Sequence, residues 1–207
     1  MGQFDMPNDE TYLPEGQSKQ KQSATLIYAA FIAGLCSIIY ELLIATTVSY
    51  FMGDSVKFFS LTIGLYMAAM GLGSYISKFI TDNLLQRFVI AEILLGIIGG
   101  ISVPLLYFTY TTTALFYPTY VVLTLCIGFL IGLEIPFLTR LMEDYQTLKS
   151  NIANILSFDY LGALIATIVF PFFLLPVMGI YQSSLLFGLI NMSIAAVVLY
   201  THRKSLG

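Results

Sequence analysis

The chain has 207 residues, 57% hydrophobic and 10% charged, with a formal net charge of −3. A charged share so far below the globular norm of about 25% excludes a single soluble core. Several apolar runs exceed the roughly 18 residues that mark a membrane span, which predicts an all-α integral membrane protein.

Residues 1–22, "MGQFDMPNDETYLPEGQSKQKQ", are polar, carry two prolines and show no apolar period. They predict a disordered cytoplasmic tail ahead of a transmembrane domain at 23–207. The first apolar stretch starts too late and runs too long for the core of a signal peptide. After Met1-Gly2, position 6 is Met6 rather than the Ser or Thr of a myristoylation signal.

Six spans follow, at 24–50, 56–77, 88–108, 114–138, 152–176 and 181–201. At about 1.5 Å per residue, each covers a hydrocarbon core of about 30 Å with some tilt. The loops "SKFITDNLLQR" and "RLMEDYQTLKSN" are short and polar, while "TYTTTALFYP" at 109–118 is uncharged and interfacial in character. Lys19, Lys21, Lys78, Arg87, Arg140, Lys149, Arg203 and Lys204 fall on one side of these spans, and Lys57 alone falls on the other. Positive residues stay cytoplasmic, so the spans form a six-helix bundle with both termini cytoplasmic.

Small residues predict where helices approach closely. Gly96-x-x-x-Gly100 and Gly128-x-x-x-Gly132 suit tight packing, as does the stripe Gly64, Ala68, Gly71 and Ser74 in the second span. Packing within one bundle is the simpler reading, and a homodimer through one of these faces is the alternative. Cys36 and Cys126 lie inside spans and read as small apolar packing residues rather than a disulfide.

Soluble-enzyme motifs are missing. "GLGS" at 71–74 lies inside an apolar helix with no strand before it and no third glycine, so it is not a nucleotide loop. His202 is the single histidine and sits among terminal basic residues, which argues against a metal site or histidine catalysis. No metal or other cofactor is expected. The nine basic residues, all at membrane edges, leave no electrostatic footprint for nucleic acid.

Four acids fall inside the spans: Glu41, Glu92, Glu134 and Asp159. A carboxylate costs about 2.5–3.5 kcal/mol at the bilayer centre on insertion scales. No Lys or Arg lies inside a span to neutralise one. Glu92 is five residues from Arg87 and Glu134 six from Arg140, which places both about 7–9 Å inside the cytoplasmic boundary. Asp159 lies about 12–15 Å in, whereas Glu41 belongs to the outer half. Pro136, two residues after Glu134, removes a backbone donor and frees the Gly132 carbonyl. Tyr40 and Tyr160 adjoin Glu41 and Asp159, but neighbours on a helix point about 100° apart. Three roles remain open for these acids: protonated or hydrogen-bonded packing groups, counter-charges for a cation, or a proton relay.

"IYELL" at 39–43, "GDSVKFFSLTIGLYMAAMGLGSYIS" at 53–77, "GFLIGLEIPFLTRL" at 128–141 and "LSFDYLGALIATIVFPFFLLPVMGI" at 156–180 carry a resemblance. Together they resemble the membrane portion of membrane-bound relatives of spermidine synthase, over about residues 24–201. In that family the helices precede a soluble aminopropyltransferase domain, which makes spermidine from putrescine and decarboxylated S-adenosylmethionine. The 207 residues contain no glycine-rich nucleoside loop, so no catalytic residue is expected in them. They read as the membrane domain of a longer enzyme or as a free-standing relative.

The resemblance implies a multi-pass module of the bacterial inner membrane, tied to polyamine synthesis and binding or moving a polyamine. Asp159, Glu134, Glu92, Tyr160 and Glu41 are its candidate ligand residues. The alternatives are an anchor for a fused or separate aminopropyltransferase, or half of a proton-coupled carrier. In the latter, spans one to three and four to six have opposite topology, with Glu41 matching Glu134.

Overall fold

The computed structural model describes residues 15–143, 145 and 148–202, and every element in it is helical. Helix α1 spans Glu15–Met52, α2 Ser55–Ser77, α3 Leu84–Tyr110 and α4 Thr113–Leu141. Residues 148–201 form two helical segments that meet at Gly179 without an intervening loop. There α5, Leu148–Val169, passes through a π-helical segment, Phe170–Met178, into α6, Gly179–Thr201. Five helical stretches are therefore long and apolar enough to cross a membrane, where hydropathy predicts six spans; the last stretch contains both of the final two. Helix α1 starts at Glu15, so residues 15–22 are helical rather than part of an irregular tail. The rest of that predicted tail, 1–14, lies outside the described residues.

Turns are set by a few residues. Gly53 follows α1 with φ +75°, and its N–H donates to the Ser49 carbonyl at 2.9 Å, closing the helix. Asp54 then caps α2, accepting from the Lys57 N–H at 3.1 Å. Only Thr111 and Thr112 separate α3 from α4. Around that turn Phe51 stacks on Tyr110 at 4.0 Å, with Tyr107 and Phe116 edge-on to it. Gly179, with φ +74° and ψ 174°, marks the change from the π segment to α6. Pro136 lies within an unbroken α4.

Two apolar clusters fill the interior. The first joins Cys36–Val48 of α1, Tyr66 of α2, Leu95–Leu106 of α3, Phe116–Ile131 of α4, Ala166–Leu174 after and within α5, and Phe187 of α6. The second joins Leu26–Ala30, Leu85–Val89, Leu133–Met142, Ile155 and Ile194–Val198. Following the chain through them, α1, α3 and α5 run from the second cluster to the first, and α4 and α6 run back. Chain direction thus reverses between α5 and α6. Lys21, Lys78, Arg87, Arg140 and Lys149 all lie at the second-cluster end, with Lys57 at the other.

Close approach depends on glycine at specific crossings. A Cβ on Gly132 would strike the Met70 backbone, and one on Gly128 would sit 2.7 Å from the Tyr66 carbonyl oxygen, so α4 lies directly on α2. Gly96 and Gly100 meet Gly188, pressing α3 onto α6. Gly34 and Gly162 do the same for α1 and α5. The predicted stripe Gly64, Ala68, Gly71 and Ser74 is instead exposed, and nothing lies within 4 Å of a Cβ at Gly64 or Gly71. The buried small face of α2 is one residue over, at Ala69, Gly73 and Ser77.

Interior hydroxyls bond backbone carbonyls one turn back, as Thr47 does to Leu43 at 2.6 Å and Thr124 to Tyr120 at 2.8 Å. The Arg140 guanidinium caps α2 from outside, donating to the Ser77 and Ile80 carbonyls at 2.8 and 2.7 Å. Both cysteines are free; Cys36 is buried and Cys126 exposed.

Candidate functional site

Between the two apolar clusters, five helices change from one to the other at a glycine or a polar residue. On α1 the change falls at Ala33-Gly34, between Ala30 and Cys36; on α3 at Glu92, between Val89 and Leu95. On α4 it falls at Gly132, two residues before Glu134, on α5 near Asp159 and on α6 at Asn191. A polar layer therefore crosses the molecule at one level. Glu134 is within electrostatic reach of both Glu92 and Asp159.

Glu92 and Glu134 are buried, at 1% and 2% exposure, and stand close enough to interact with one another. Two buried carboxylates this close repel when both are ionised, which favours a proton shared between them. Asp159 is half-buried and within electrostatic reach of Glu134. It packs on α1, with its Oδ1 2.7 Å from where a Gly34 Cβ would stand. Glycine at that point leaves room for the carboxyl.

Three polar atoms of this region are buried with no hydrogen-bond partner among the described residues: Glu92 Oε1, Asn191 Oδ1 and the Tyr40 hydroxyl. Such groups normally find partners, because an unmet buried group costs about 1–3 kcal/mol. No Lys or Arg of the described residues lies at this level. The layer has acceptors and carboxyl groups but, among the described residues, no cation of its own.

Glu41 and Tyr160 stand apart from it. Glu41 is half-buried at the level of the first cluster, within electrostatic reach of Tyr66. Tyr160 is 66% exposed on the outside of α5, turned away from the side Asp159 presents to α1. Asn191, Tyr40 and Gly34 belong to the site and were not among the candidates. Asn191 carried a readable signal, being a lone amide inside the sixth predicted span; Gly34 carried none. His202 is buried at the end of α6 with its Nδ1 3.1 Å from the Val198 carbonyl, and burial pushes its pKa below the ordinary histidine value. A cleft of about 420 Å³ between α1 and α5 is lined by Ala24, Ile27, Tyr28, Phe31, Phe158 and Leu161. That lining suits hydrocarbon rather than a charged group.

Comparison with known proteins fixes the setting. A polyamine aminopropyltransferase of Leptospira interrogans is 38% identical over 170 residues, covering 82% of this chain and 34% of its own length. Polyamine aminopropyltransferase 1 of Ralstonia nicotianae is 39% identical over 194 residues, 92% of this chain and 37% of that protein. A polyamine aminopropyltransferase of Mycobacterium tuberculosis is 32% identical over 84% of this chain and 35% of its own length. The chain is homologous to about one third of each. It is thus related by descent to proteins named for polyamine aminopropyl transfer, through a segment that is all helix. No family model matches the chain, and no solved structure matches it significantly.

Proposed function

We propose that the chain is a membrane-embedded module of polyamine synthesis whose polar layer binds a polyamine. The observation that carries this reading is the buried Glu92–Glu134 pair beside Asp159, with unmet acceptors and no cation at its level among the described residues. A polyamine carries several ammonium groups spaced along a flexible hydrocarbon, which matches carboxylates on separate helices better than a point cation does. Glu134 and Asp159 receive ammonium groups, Glu92 yields the shared proton, and the Asn191 amide oxygen and Tyr40 hydroxyl complete the polar lining. The names of the homologues support this choice of ligand.

In this reading the chain crosses a bacterial cell membrane six times, reversing after Gly179, with both termini and the polar layer's nearer edge on the cytoplasmic side. Large apolar side chains exposed on the outer surface, such as Met67, Leu72, Phe108, Phe172 and Val177, suit contact with lipid. The charge distribution sets the orientation. In a background free of Cys36 and Cys126, Asp82→Cys and Lys149→Cys are expected to resist impermeant thiol reagents in intact cells. Ser55→Cys and Thr111→Cys are expected to react. The reverse pattern contradicts the orientation.

A second reading, a membrane anchor for an aminopropyltransferase, draws on the chain's spanning about one third of its relatives. Equilibrium dialysis of radiolabelled spermidine against the purified chain separates the two. Saturable binding is expected, and its absence leaves only the anchor.

A further inference from the structure

We infer that the acids occupy one half of a two-fold path between α1–α3 and α4–α6, and that the ring of Tyr40 plugs the other half, so that a cation enters and leaves the site from one side only. This rests on the polyamine-binding reading above and adds a barrier to it.

Glycine contacts set the two-fold register. Gly34 of α1 and Gly128 of α4 lie 94 positions apart, and each lets its helix touch a backbone carbonyl, of Asp159 in one case and of Tyr66 in the other. Tyr66 and Asp159 are themselves 93 positions apart. Gly96 and Gly188, 92 positions apart, meet reciprocally. A Cβ on Gly96 would stand 2.7 Å from the Gly188 carbonyl oxygen, and one on Gly188 would stand 2.5 Å from that of Gly96. Residues beside a two-fold axis meet their own counterparts in this way.

Burial keeps that register. Leu26, Ala30, Ala33, Tyr40, Leu43 and Ile44 are buried on α1, and so is the residue 94 positions after each on α4. Every buried position of α2 has a buried residue 93 positions later, except Tyr66, whose counterpart Asp159 is half-buried. Every buried residue of α6 from Ser183 to Val198 lies 92 positions after a buried residue of α3. The two halves run oppositely between the apolar clusters, since α1 enters the first cluster and α4 leaves it. This is the arrangement of an inverted repeat, in which a central site lies at the repeat interface. The register pairs Glu41 with Ile135, so Glu41 does not match Glu134 as the sequence predicts.

The two halves of the path differ in chemistry. The counterparts of Glu134, Asp159 and Glu92 are Tyr40, Tyr66 and Ser184, so carboxyl groups stand on one side of the axis and hydroxyls on the other. Tyr66 donates to the Ser37 carbonyl at 2.8 Å, and Ser184 to the Gly99 and Gly100 carbonyls at 3.1 and 2.5 Å. Both hydroxyls are therefore engaged with backbone. Tyr40 is fully buried, and a Cβ on Gly99 would stand 2.5 Å from its ring, so the glycine leaves the space that the ring fills. The counterpart of Gly99 is Asn191. Where one half packs a ring into a glycine notch, the other carries a carboxyl and an amide, with Glu92 Oε1 and Asn191 Oδ1 unmet among the described residues. A cation finds open acceptors in the acid half and a packed ring beyond it. The Tyr40 hydroxyl has no partner among the described residues, so the ring itself makes the seal.

The test is escape of radiolabelled putrescine from loaded proteoliposomes containing the full chain, with radiolabelled sucrose as the uncharged control. Wild type and Tyr40→Phe, which keeps the ring, are expected to retain putrescine as protein-free liposomes do. Tyr40→Ala is expected to lose it at least tenfold faster than wild type while retaining sucrose. Adding Glu134→Gln to Tyr40→Ala is expected to slow that loss at least threefold, because the cation passes the acids. Retention of putrescine by a Tyr40→Ala chain that still binds spermidine overturns the plug and leaves the binding reading standing. Escape of putrescine through wild type, or of sucrose through Tyr40→Ala at the same rate as putrescine, does the same. A wild-type chain that binds no spermidine removes the binding reading itself. If Tyr40→Ala is not recovered as monodisperse protein, Tyr40→Val, which also removes the ring, is held to the same outcomes.

Discussion

Gly132→Leu and Gly162→Leu are expected to leave little folded protein, whereas Gly64→Leu and Gly71→Leu fold as wild type. A Cβ at Gly132 would meet the Met70 carbonyl oxygen and stand 2.8 Å from the Met70 Cα. One at Gly162 would meet the Phe31 carbonyl oxygen and stand 2.9 Å from the Leu35 nitrogen. In each case the obstacle is backbone, which cannot rotate away. Overpacking a close interior costs about 1–3 kcal/mol where side chains can yield, and more where they cannot. Helices α2 and α4, or α1 and α5, would have to separate along their length. Gly64 and Gly71 face open space, so a leucine there adds only an outward apolar group. Yield of monodisperse protein after purification in detergent measures the contrast. Equal loss in all four variants would contradict the assignment of faces on α2.

Spermidine affinity is expected to fall about tenfold to a hundredfold in Glu134→Gln, matching the loss of a charge-assisted hydrogen bond of about 1.5–3 kcal/mol. Asp159→Asn is expected to weaken binding less, because Asp159 is half-buried and water screens part of its charge. Both variants keep the shape and hydrogen-bonding reach of the original side chain, so folding is retained. Tyr160→Phe, on the outer face, is expected to bind as wild type. Equal binding by wild type and Glu134→Gln contradicts the site and returns the acids to a packing role.

Much of this arrangement was readable from residues, and the misses have identifiable causes. The depths of Glu92, Glu134 and Asp159 followed from counting positions to Arg87, Arg140 and Lys149, because helical rise is constant. That all three meet required knowing which way each helix turns, which counting does not give. The Gly96 and Gly128 pairs signalled close approach, but not that their partners are α6 and α2. On α2, small residues recur on two neighbouring faces, Gly64-Ala68-Gly71 and Ala69-Gly73-Ser77; spacing alone does not say which one is buried. Helix α1 extends back to Glu15 through "EGQSKQKQ", which has no apolar period to reveal it but is rich in Glu, Gln and Lys, all good helix formers. The last two expected spans are joined through the π-helical segment and Gly179, whose backbone angles are not helical, rather than a loop. "FPFFLLPVMG" has no polar residue at which hydropathy could divide it.

The central claim is that an ammonium group takes the place of the proton shared by Glu92 and Glu134. Calorimetric titration of the purified chain with spermidine, repeated in two buffers of different ionisation enthalpy, counts protons released on binding. The prediction is release of about one proton per spermidine at neutral pH, falling toward zero in Glu92→Gln, whose amide N–H replaces the shared proton. Binding with no proton release in wild type, or with the same release in Glu92→Gln, would contradict it.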